Sequence, residues 1–216
     1  MKTEVNISKD NEYYSQINNR RYPHEACNVT SITECMDIID DMFEHPNGVQ
    51  PEDHFMEFMR SDLAYSRMRD LYPWATKGGY EPNEVHAMLQ WGINKLAGRD
   101  VDMFSTKWEL KELLYEIYVN HNPSCVSGRF TDAGHIVVLV GFETNQDLKK
   151  VEHWQDINLD NILNLIVDDP YGDYFTGYES PHGNNLTFNL QEFDELTKTY
   201  NDFSSKWAHL IRRNNG

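Results

Sequence analysis

The chain has 216 residues, 39% of them hydrophobic and 12% aromatic, which suits one domain with a sizeable core and excludes a disordered tail. Its 35 acidic against 19 basic residues give a formal charge of -16, a surface that repels phosphate backbones, so no nucleic acid is expected as partner. Three cysteines without a CxxC spacing fit reduced thiols better than a disulfide scaffold. Met1–Asn6 lacks a signal-peptide core and no apolar run approaches about 18 residues, so no membrane contact and a cytoplasmic location are expected.

Residues 1–26 read as irregular polar sequence ending in Arg20-Arg21-Tyr22-Pro23-His24-Glu25. Pro23 disfavours helix before it, and the apolar steps Val29, Ile32, Met36, Ile39, Phe43 then predict an amphipathic helix that starts near Cys27 and stops before His45-Pro46-Asn47-Gly48. A second helix is expected over Glu52–Tyr72, stopped by Pro73, and a third from about Pro82 to Leu96, with Gly98 just past its end. Trp108, Leu110, Leu113, Leu114 and Ile117 predict a fourth from about Lys107 to Val119.

Strand signals follow. Cys125–Gly128 is a short extended segment, and the glycine-bounded apolar run Gly134–Phe142 reads as a central strand covered on both faces. Asn164–Asp169, ended by Pro170-Tyr171-Gly172, is its expected neighbour, and the polar residues 143–161 between them are expected on the surface. Gln191–Tyr200 reads as helix and Trp207–Ile211 as a last strand. Helices lead and strands follow, so the class is α+β, a single domain over residues 1–216 with a helical part at about 26–120 and a sheet part at about 121–216.

Three positions in this frame carry nucleophilic chemistry. Cys27 opens a helix, where unpaired backbone N–H groups and the positive end of the macrodipole favour thiolate over thiol. His135 starts the central strand and Asp169 closes the next one, placing an imidazole and a carboxylate on adjacent rigid platforms if the strands pair. Gln16, in the loop before the helix, offers a side-chain amide for an oxyanion. Cys35 and Cys125 read as core thiols. No HExxH or zinc-finger spacing occurs, and Asp156–Asn161 imitates a calcium loop but has Asn161 where glycine belongs and Val167 in place of the final glutamate, so no metal is expected.

Four blocks, Tyr14-Ser15-Gln16, Ala26–Ser31, Gly134–Phe142 and Val167–Gly172, together resemble the signature blocks of the bacteriocin-processing-like (double-glycine leader peptidase-like) cysteine peptidases, whose stand-alone branch is encoded by bacteria and phages. The resemblance spans about three quarters of the chain, residues 13 to 174, and implies a papain-like fold with the helical part packed on an antiparallel sheet. By position, Cys27 resembles the nucleophile, His135 the general base and acid, Asp169 the orienting carboxylate and Gln16 the oxyanion-hole amide. Asn28-Val29 stand where many members have Gly-Pro, a variant that resembles the phage-type branch. Asp168 is the alternative acid, and Asp169 is preferred because it directly precedes Pro170. The implied activity is hydrolysis of a peptide or isopeptide bond through a covalent thioester, without cofactor, on a peptide, a protein or a peptidoglycan stem peptide. A phage-encoded member would act in the host cytoplasm. The alternative is an inactive papain-like shell whose acidic surface sequesters a basic protein.

Overall fold

The computed structural model describes residues 2–8, 11, 13–77, 79–198 and 205–213. A seven-stranded antiparallel sheet runs through it, formed by β1 (Thr3–Asn6), β2 (Asp102–Glu109), β3 (Ser124–Gly128), β4 (His135–Thr144), β5 (Ile162–Asp168), β6 (Leu186–Asn189) and β7 (Ser205–Ile211). The order is β2-β7-β3-β4-β5-β6. β3 pairs with residues 135–139 of β4 and β1 with residues 141–144, so the two short strands share one edge of β4 end to end. Helices α1 (Cys27–Ile38), α2 (Pro51–Met59), α3 (Asp62–Leu71) and α4 (Pro82–Ala97) precede most of the sheet, with α5 (Leu110–Tyr115) and α6 (Leu190–Thr197) interleaved. The molecule is therefore α+β. No helix among the described residues is long and apolar enough to cross a membrane.

β4 divides the core. Ile136, Val138 and Val140 join Val29, Ile32 and Met36 of α1, Phe55 of α2 and Ile93 of α4 in one cluster. Val137 and Leu139 join Leu113 and Leu114 of α5 and Phe193 of α6 in the other. Strand alternation alone would turn Phe142 to the first cluster. It lies in the second because Leu139 pairs with Val167 and Gly141 with Ile166, leaving Val140 as an extra, bulged residue that shifts the phase by one. Gly141 also lets β1 approach: a Cβ there would stand 2.2 Å from the Val5 carbonyl oxygen. Gly141→Ala is expected to loosen β1 and lower stability by about 1–3 kcal/mol, the range for overpacking a close contact. Urea unfolding checks this, and an unchanged midpoint would refute the tight fit.

Several boundaries differ from the sequence expectation. α1 ends at Ile38 because Asp40 enters the left-handed region (φ 52°) and the N–H groups of Asp40 and Asp41 turn back to the carbonyls of Asp37 and Met36. Ile39 and Phe43 are nevertheless buried in the cluster they were expected to join. The expected helix over 52–72 is two helices, since the Ser61 hydroxyl accepts from the Ala64 N–H and caps a new start. The expected fourth helix begins at Leu110, because Glu109 and Glu112 form a capping box. Lys107–Glu109 end strand β2, so the helical part at 26–120 is interrupted by a strand, a correction to the two-part division. β1 and β6 had no counterpart in the sequence reading. Within 143–161, three single 3-10 turns lie on the surface as expected, but Leu148 and Ile157 anchor the segment in the second cluster. α6 ends at Thr197, and the expected helical residues Thr199 and Tyr200 lie outside the described residues.

Two strands from β4, toward the β2 edge, the sheet is held by a buried polar chain. His209 of β7 donates from Nδ1 to Asp102 Oδ2 of β2 (2.6 Å), and its Nε2 lies 2.9 Å from Nδ1 of His86 on α4. Burial, then the neighbouring His209, lowers the His86 pKa to about 3, so His86 is neutral in the neutral range.

Candidate active site

The start of β4, the end of β5 and the N-terminus of α1 meet at one place. His135 is 5% exposed and its Nε2 lies 2.7 Å from Asp169 Oδ1. The Cys27 side chain lies beside the same imidazole, close enough to act on its protonation. Since Asp169 takes Nε2, the nitrogen left for the thiol is Nδ1. Cys27 is the half-buried cysteine of the three, while Cys35 and Cys125 are buried. Burial alone would lower the His135 pKa. The hydrogen bond to Asp169 and the adjoining Cys27, with the charges of both groups, outweigh it and raise it to about 9.

Backbone turns explain why the three groups are aligned. Thr30 N–H bonds the Ala26 carbonyl and starts the helix, and no side chain caps Ala26. The Ser31 hydroxyl donates to the Ile136 carbonyl (3.1 Å), seating the N-terminal half of α1 against β4 one residue past His135. Asp169 follows the last residue of β5 and is fully buried. Its Oδ1 also accepts the Tyr171 N–H (2.9 Å), an Asx-turn across Pro170, and its Oδ2 accepts from the Tyr178 hydroxyl (3.2 Å). The carboxylate is thus fixed on both oxygens before it meets His135. Tyr178 has a left-handed backbone (φ 66°), a costly conformation for an aromatic residue, and its ring lies 4.8 Å from that of Tyr171. Both rings flank His135 edge-on, at 6.1 Å for Tyr171 and 6.3 Å for Tyr178.

Gln16 lies in a 3-10 turn docked on the same corner. Its N–H donates to the Pro170 carbonyl (2.8 Å), and the Tyr13 hydroxyl donates to the Asp169 carbonyl (2.6 Å). Its side-chain Nε2 donates one hydrogen to the Pro23 carbonyl (2.8 Å), four residues before Cys27, and finds no second acceptor among the described residues. The structure therefore joins Cys27, His135 and Asp169 directly. It fixes Gln16 beside them through Pro23 and Pro170.

Asp168, the alternative acid, points elsewhere. It is buried against Glu34 of α1, hydrogen-bonds it, and accepts the Asn185 N–H. Burial raises the pKa of both acids, Glu34 well above its ordinary value, with the Asp168 charge as the next cause for Glu34. Glu34 stands seven residues after Cys27, two helical turns along the same face, so this carboxyl pair braces α1 against β5 directly behind the triad. Sequence reading missed Glu34, Tyr13 and Tyr178. An acid on an apolar helix face was a visible signal for Glu34, whereas Tyr178 reaches Asp169 only through the turns of the loop between them.

Two cavities of about 840 and 530 Å³, lined around Asn122 and around Trp74 respectively, include none of Cys27, His135, Asp169 and Gln16. No family model matches the chain, and no curated protein is significantly similar to it.

Proposed function

We propose that the protein is a cysteine peptidase or amidohydrolase of papain-like fold that cleaves a peptide or isopeptide bond through Cys27, His135 and Asp169. The observation that carries this reading is the position of His135, held at Nε2 by a fully buried carboxylate and in contact with a half-buried thiol at a helix N-terminus. His135 takes the Cys27 proton, and the sulfur attacks the carbonyl carbon. The Cys27 N–H and the second Nε2 hydrogen of Gln16 hold the tetrahedral oxyanion. His135 then protonates the leaving amine. Water, deprotonated by His135, hydrolyses the thioester and restores the thiol. Asp169 keeps the ring oriented and offsets its positive charge.

The substrate is a peptide, a protein or a peptidoglycan stem peptide, met in a cytoplasm. The residues that would read it are those around the triad, His24, Tyr171 and Tyr178, whose rings form one edge of the site. Digestion of a pooled peptide library and of peptidoglycan fragments, read by mass spectrometry, tests the proposal. Wild type is expected to cut and to carry a transient acyl adduct on the Cys27 peptide after acid quenching. Cys27→Ala should lose at least about 10³-fold in rate, the scale on which removing a nucleophile acts. No cleavage and no adduct on either class of substrate would favour a shell that binds a basic protein through its acidic surface, the outcome a pull-down would then pursue.

A further inference from the structure

The other two thiols also meet, away from the triad. Cys35 Sγ on α1 lies 3.3 Å from Cys125 Sγ on β3, and both residues are completely buried. Cys125 sits in the interior of the sheet, paired with Val138 on one side and His209 on the other. A small movement of α1 brings the sulfurs to the bonding distance of about 2.05 Å, and side chains on facing elements can close such a gap where two cysteines on one helix cannot. Cys27 is excluded as a partner for Cys35. The two are eight residues apart on α1, about 12 Å along the axis.

We infer that Cys35 and Cys125 are a disulfide-forming pair that locks the nucleophile's helix to the central sheet when a peroxide reaches it, while Cys27 stays outside the cross-link. The inference is independent of the proposed peptidase activity. In the first step one thiol gives its electron pair to a peroxide oxygen, the O–O bond breaks, and a sulfenic acid and water form. In the second the other thiol attacks the sulfenic sulfur, the S–OH bond breaks, and the S–S bond and a second water form. One hydrogen peroxide thus oxidises two thiols and becomes two waters.

The position of the link gives it a large mechanical effect. The bonded residues are 90 apart in sequence, and α2, α3, α4, β2 and α5 all lie in the loop they would close. Closing so long a loop removes much of the freedom of the unfolded chain and leaves the folded contacts nearly unchanged. Glu34 lies beside the pair, and burial, then the Cys125 side chain, raises the Cys35 pKa. The reduced pair is therefore slow to react, and oxidation requires either a small oxidant or transient opening of α1.

The test uses the full chain with Cys27→Ser, so that the half-buried thiol is silent. One sample is treated natively with hydrogen peroxide, and a second is refolded from urea in a glutathione redox buffer. Expected are a mass loss of about two hydrogens, joined Cys35 and Cys125 peptides in a non-reduced digest, and a urea midpoint that rises on oxidation and returns with a reductant. Cys125→Ala should show none of these. Two free thiols, sulfinic acids or glutathione adducts by both routes would overturn the inference, and so would a joined chain whose urea midpoint falls.

Discussion

Iodoacetamide is expected to label Cys27 of the native chain at least about a hundredfold faster than Cys35 or Cys125 at pH 6.5, and His135→Ala to remove most of that advantage. The difference between the thiols is partly access, since Cys35 and Cys125 are fully buried and Cys27 is not. The His135 dependence is electrostatic. An imidazole whose pKa is raised to about 9 keeps its proton below that pH, so a positive charge faces the sulfur through the neutral range. The Cys27 labelling rate should then change as His135 loses its proton near pH 9. In His135→Ala that change near pH 9 should be absent. Asp169→Ala should fall between the two. Without the carboxylate, the burial that opposes the imidazolium is no longer outweighed, and the change should move to lower pH. Mass-spectrometric mapping of the labelled peptide distinguishes all three. Identical pH profiles in wild type and His135→Ala would leave the catalytic reading without its chemical basis.

Glu34→Gln is expected to be more stable than wild type at pH 8 and about equal to it near pH 4.5. Glu34 is fully buried against Asp168, and burial first, then that neighbouring charge, raises its pKa well above the ordinary value. In the unfolded chain a glutamate releases its proton near pH 4.3. Above that pH the folded chain holds a proton that the unfolded chain has lost, so stability falls as pH rises until the folded group also ionises. The slope for one proton is about 1.4 kcal/mol per pH unit, an upper limit because other groups titrate in the same range. Glutamine keeps the shape and a hydrogen-bond donor for Asp168, and it cannot ionise. Asp168 is the natural bearer of the charge, since it accepts from the Asn185 N–H. Urea midpoints measured from pH 4.5 to 8 on both chains should diverge steadily. Parallel curves would mean that the pair does not share a proton across this range.

These acids also show how the chain divides between local and long-range information. Elements with a strong period or a local punctuation mark were legible in the sequence: the start of α1 after Pro23, α4 between Pro82 and Gly98, and the apolar run of β4. The order Cys27, His135, Asp169 was legible too, because each stands at an element boundary that its neighbours announce. The split of α2 from α3 was written locally in Ser61 but lost to the stronger apolar stripe across it. β1, β2 and β6 are half-exposed and lack a long apolar alternation, so pairing with β4, β7 and β5 is what makes them strands.

What only the tertiary structure decided is which of two adjacent acids meets the histidine. Asp168 and Asp169 are equivalent by composition. At the end of β5 successive side chains leave in different directions, so Asp168 goes to Glu34 and Asp169 to His135. The same holds for the meeting of Cys35 with Cys125 and for the chain from Asp102 through His209 to His86. Periodicity tells a residue which face to bury, whereas the partner it finds there depends on how helices and strands distant in sequence are laid against one another.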